Sequence, residues 1–106
     1  MKKSDLKSAI QPEFRDLILT GEYAVHHVFG GNGRRRICEK YGFLVAVRPA
    51  MHDEIHAKTA AGKYVDKVLK RQCYEYWRKS GGTDENFVSE FGPIPDRFSE
   101  IEEEDA

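Results

Sequence analysis

The four histidines of the chain stand at positions 26, 27, 52 and 56, an adjacent pair followed by a pair four residues apart. Residues i and i+4 of a helix share one face, so His52 and His56 can present two imidazoles to one cation. Neighbouring residues of a strand point to opposite sides, so His26 and His27 are suited to divide two tasks between them. One imidazole coordinates the cation. Its neighbour, turned toward substrate, serves as a general base, since an unperturbed histidine titrates at about 6.5. A cation that stabilises developing phosphoryl charge, together with a base that activates water, is the equipment of phosphodiester hydrolysis. Either pair alone is a weak signal. Both pairs together, with no histidine elsewhere, point to a metal site, either open to substrate or closed as a structural zinc site by Cys38.

These side chains need a strand, a loop, a second strand and a helix, in that order. The run EYAVHHVF over residues 22–29 is rich in β-branched and aromatic residues and ends at Gly30-Gly31-Asn32-Gly33, which reads as a strand followed by a loop. RRRICEKYG makes one or two helical turns closed by Gly42, and FLVAVRP is a second strand ending at a proline. A helix starting near Ala50 and meeting no breaker before Gly62 carries His52 and His56. Outside this unit, residues 4–20 read as a helix with Ser4 as N-cap and a break or restart at Pro12. The longest helical signal runs from about Lys63 to Lys79, with Val65, Val68, Leu69, Cys73, Tyr76 and Trp77 on an apolar stripe. DENFVSEFG reads as a short amphipathic helix before a turn at Pro93 and Pro95. By the same periodicity Tyr74, Tyr76 and Trp77 belong to packing before base stacking.

At 106 residues the chain fits one domain, expected over residues 1–98. Five of its 18 acidic residues, Glu100 and Glu102 to Asp105, lie in the last eight positions, which are expected to be a disordered acidic tail. The formal net charge of -1 therefore hides a mildly basic body with an Arg34-Arg35-Arg36 cluster, which permits phosphate contacts without proving them. No stretch is long and apolar enough for a membrane span, and the start lacks a secretory apolar core, so a cytoplasmic protein without a membrane partner is expected. Cys38 and Cys73, 35 residues apart, give neither a zinc-knuckle spacing nor a disulfide framework.

The segment HHVFGGNGRRRICEKYGFLVAVRPAMHDEIH resembles the HHVFGG...SEKYGL...HH...H pattern of small HNH-type proteins encoded by phages and prophages. The likeness covers residues 26–56, extends loosely to Trp77, and takes in the F...FG of DENFVSEFG to about residue 92. The arrangement is also similar to the HNH nuclease domains of DNase colicins, in which an HH pair precedes an HxxxH pair and a ββα unit holds one divalent metal. The resemblance implies an α+β fold with a ββα-metal core over about residues 22–61. It further implies His26, His52 and His56 as metal ligands, His27 as the general base, and a metal-dependent endonuclease acting on nucleic acid, DNA first. Arg34, Arg35, Arg36, Lys40 and Arg48 are the candidate phosphate contacts. Three imidazoles suit Zn, Ni or Mn better than Mg, which prefers oxygen.

The chain departs from the pattern in two places. The asparagine that in the family precedes the ligand helix is missing, with Phe43, Leu44 and Val45 in the second strand and Asn32 the nearest candidate to act differently. EYAV stands where cysteines often precede HHVFGG, so no second zinc clip is expected and the first helix is left to brace the strand. The missing asparagine motivates an alternative function, a phage accessory or host-defence inhibitor that keeps the scaffold and dispenses with catalysis. In that case the acidic tail is a nucleic-acid mimic or the contact for a protein partner.

Overall fold

A computed structural model describes residues 5–31, 33–92 and 94. The elements in chain order are α1 (Phe14–Leu19), β1 (Ala24–His27), α2 (Arg34–Tyr41), β2 (Leu44–Val47), α3 (Pro49–Ala57), α4 (Ala60–Lys79) and α5 (Asp84–Phe91). The fold is a small α+β arrangement in which two short antiparallel strands are surrounded by helices. The expectations placed on Ser4, Asn32, the Pro93 and Pro95 turn and the acidic tail fall outside the described residues.

β1 and β2 pair with His26 opposite Val45 and His27 opposite Leu44. The Val28 N–H donates to the Phe43 carbonyl at 3.1 Å and carries the ladder one step further. β2 is apolar at every position and its first three residues are buried.

The helix expected over residues 4–20 is a correction: only Phe14–Leu19 is helical. The segment before Pro12 is drawn into a different set of hydrogen bonds. Ser8 Oγ accepts from the N–H groups of Ile10 and Gln11 and donates to the Leu44 carbonyl at 2.5 Å. The Gln11 carboxamide clasps Ala46, accepting from its N–H at 2.6 Å and donating to its carbonyl at 3.3 Å. Ser and Gln side chains here satisfy outward-facing backbone groups of β2, and this local bonding outcompetes the helix. It is this segment that braces β2, through side chains in place of a third strand.

A second correction concerns Gly62, expected to end the helix that carries the histidines. The helix ends earlier, at Lys58, which adopts φ 59°. Thr59 then caps α4 by accepting the Gly62 N–H at 3.1 Å. Gly62 lies inside α4, where a Cβ would overlap the Glu54 carbonyl. Its missing side chain lets α3 and α4 pack at close range, so it serves as a contact point and not as a breaker.

The core gathers Phe14, Ile18, Val28, Phe29, Phe43, Leu44 and Cys73 with Phe87 and Phe91 of α5. Trp77 meets Tyr41, Phe87 and Phe91 edge to face and donates its indole N–H to the Thr83 carbonyl at 2.8 Å. Leu69, Cys73 and Trp77 of the α4 stripe thus pack on the core, as the periodicity indicates, whereas Tyr76 is exposed. No helix among the described residues is long and apolar enough to cross a membrane.

Candidate metal centre

His26 and His27 leave β1 on opposite sides, as strand geometry requires. His26 is buried, with 4% of its surface exposed, and faces α3. That helix begins at Pro49, whose fixed φ suits the first helical position, and brings His52 and His56 round to one face a turn apart.

The three rings converge. The His26 ring centroid lies 5.4 Å from that of His52 and 6.2 Å from that of His56, in both cases edge to face. The Nε2 atoms of His52 and His56 are 3.1 Å apart, and one ring nitrogen from each of the three residues lies within 4.8 Å of the others. Nitrogens bound tetrahedrally at about 2.1 Å from one ion stand roughly 3.4 Å apart, so the set fits a cation after a small inward adjustment. The His26 Nε2 is buried and has no hydrogen-bond partner. A buried polar atom left in that condition costs about 1–3 kcal/mol, a cost that coordination to a cation removes.

Electrostatics favour the same use. Burial pushes the His26 pKa down to about 4, and nearby His52 adds to the effect while Asp66 opposes it. His52 is lowered as well, by burial first and then by His56. Both imidazoles are therefore neutral near pH 7, with lone pairs available to a metal and no proton to displace.

Cys38 is not part of this group. Its buried thiol accepts the Phe29 N–H at 3.4 Å and donates to the Phe29 carbonyl at 3.3 Å, and burial raises its pKa. A closed zinc set of three histidines and Cys38 is not formed, and the three imidazoles leave coordination positions open.

On the other side of β1, His27 Nε2 lies 2.9 Å from an Oε2 of Glu39 on α2. A carboxylate can only accept, so Nε2 carries the hydrogen, and in the neutral ring the lone pair is on Nδ1. Sequence reasoning gave Glu39 no role, although the residue is the first letter of the EKYG segment.

Two clefts open on the histidines. The smaller, about 310 Å³, is lined by His26, His27, His52, His56 and Arg35. The larger, about 590 Å³, shares His26, His27 and His56 and is lined also by Lys58, Lys63, Lys67 and Lys70. Of the five basic residues named from sequence, only Arg35 reaches either cleft. Arg34 folds back, with its guanidinium 3.5 Å from the Gly30 carbonyl. Arg36 is exposed on α2. Lys40 lies over the Tyr41 ring at 5.2 Å beside a different cleft. Arg48 lies over the Tyr23 ring, also at 5.2 Å. No family model, curated protein or solved structure matches the chain.

Proposed function

We propose that the protein is a single-metal endonuclease of the HNH type, with β1, β2 and α3 as its ββα unit, His26, His52 and His56 as metal ligands, and His27 as the general base. The observation that carries this reading is the convergence of one ring nitrogen each from His26, His52 and His56 within 4.8 Å, with the buried His26 Nε2 lacking a hydrogen-bond partner and the adjoining His27 held by the Glu39 carboxylate.

A divalent ion held there, Zn, Ni, Mn or Mg, supplies positive charge to the phosphoryl and leaving oxygens of the scissile phosphodiester. The protein's own residues do the rest. Glu39 holds the His27 ring through Nε2 and fixes the tautomer in which Nδ1 accepts a proton from water. As that ring becomes cationic, the same carboxylate stabilises the charge. Arg35, beside the smaller cleft, is placed to contact a substrate phosphate. DNA is the first substrate to test.

The test is nicking of supercoiled plasmid with each of the four metals. The wild-type protein is expected to nick in a metal-dependent way, His27→Ala to take up metal without nicking, and His52→Ala to lose both properties. Absence of cleavage of double- and single-stranded DNA and of RNA with all four metals sinks the reading.

A further inference from the structure

Resting on the nuclease reading, we infer that Lys58, Lys63 and Lys67, with Lys70 at the end of the row, form a sequence-independent track for the phosphate backbone of nucleic acid leading to the histidine site.

Lysines on a helix usually make a solvated face. Here they share a cleft of about 590 Å³ with His26, His27 and His56. Lys63, Lys67 and Lys70 recur at spacings of four and three on α4, which puts them on one side of the helix. Lys58 reaches the same cleft from the end of α3 because its left-handed φ turns the chain there. Asp66 is the sole carboxylate in the lining and is paired with Lys70 at 2.9 Å. Lys58, Lys63 and Lys67 have no ion-pair partner among the described residues. Three ammonium groups without an ion-pair partner thus line one cleft together with His26, His27 and His56.

Dimensions and chemistry select the occupant. Seven residues of α-helix rise about 10.5 Å from Lys63 to Lys70. Successive phosphates of one DNA strand advance about 3.4 Å along the helix axis, so a row of this length covers about three such steps of rise. Ammonium groups recognise phosphates as point charges, and a contact made to phosphate carries no base information. The cleft presents no Asn, Gln or Arg, the side chains that make paired contacts with base edges. A polyanion of regular phosphate spacing, held without regard to sequence, fits this lining.

The test is fluorescence-anisotropy titration of labelled mixed-sequence DNA, duplex and single-stranded, over a series of salt concentrations. It uses the full chain with zinc in a His27→Ala background, so that cleavage does not enter the readout. Each phosphate neutralised contributes about 0.9 to the slope of log affinity against log salt on duplex and about 0.7 on single strands. Lys63→Gln with Lys67→Gln is expected to lower the duplex slope by about 2. Arg15→Gln with Lys79→Gln, an equal loss of charge at exposed positions away from the cleft, is expected to leave it unchanged. Circular dichroism and zinc uptake equal to the parent's establish that the ridge variant is folded. An unchanged slope in that folded variant, an equal drop in the control pair, or no DNA binding by the parent overturns the track. Because binding is read without cleavage, the track and the nuclease stand or fall separately.

Discussion

His27 Nε2 and the Glu39 carboxylate stand 2.9 Å apart across twelve residues of chain, linking β1 to α2 on the side of the strand away from His26. The pair is partly shielded, with side-chain exposures of 14% and 26%, so the contact is neither fully wet nor fully dry. The carboxylate is a polar group that holds the ring of the proposed base.

Glu39→Ala is accordingly expected to slow plasmid nicking by about 10- to 100-fold, a share of the 10²–10⁴ that a positioned base contributes. Zinc uptake and DNA affinity are expected to stay at wild-type values. Glu39→Gln keeps an acceptor oxygen and is expected to recover part of the rate. Nicking by Glu39→Ala at the wild-type rate rules this role out.

Metal uptake rests on three imidazoles from two elements. Removing one, as in His52→Ala, is expected to weaken zinc binding by more than about 100-fold, since even outer partners of ligating histidines are worth 10- to 100-fold. Calorimetric titration of the chelator-stripped protein checks this. Cys38→Ser is expected to bind zinc as the wild type does, because that thiol bonds to Phe29 and not to the site.

The metal-free protein should lose stability in weak acid for a nameable reason. His26 titrates at about 4 in the fold against an ordinary 6.5, so between those values the unfolded chain binds the extra proton. The contribution is complete above pH 6.5 and is lost as pH falls toward 4, amounting to about 2 kcal/mol between pH 7 and 5. His52, shifted in the same direction, adds to it. Urea midpoints at the two pH values, compared with those of His26→Gln, measure the effect. Equal pH dependence in the two proteins contradicts it.

Gly62→Ala is expected to cost about 3 kcal/mol, because the new methyl group meets the Glu54 carbonyl at a rigid backbone contact. Glu54 is two residues from His56 on the same helix, so pushing α3 away from α4 also loosens the metal site. A thermal melt and a zinc titration of the variant are expected to move together.

The order of elements from β1 to α5 was legible because Gly, Pro and β-branched residues punctuate it strongly, and the histidine site because the chain has no imidazoles elsewhere. Less legible were features that depend on partners distant in sequence. Gly62 looks like a stop until Glu54 is seen above it. Residues 6–11 look helical until Ser8 and Gln11 find Leu44 and Ala46. Glu39 is one of many surface acids until β1 brings His27 to it. The α4 lysines received no role from the sequence, because periodicity reports only which residues form the apolar stripe and not what lies near the others. The arginine cluster attracted notice through its density, yet only Arg35 faces a cleft, since a helix turns consecutive residues to different sides.

The clasp of Gln11 and Ser8 on β2 has a consequence for solubility. A sheet of two strands offers long unpaired edges on which a second molecule can add its own strand, the first step of aggregation. With the Ala46 amide and the carbonyls of Leu44 and Ala46 already taken by side chains of the same molecule, these groups are not available to template a neighbour. A glutamine and a serine thereby act as gatekeepers against intermolecular β-pairing, on the strand that faces the one carrying the histidines.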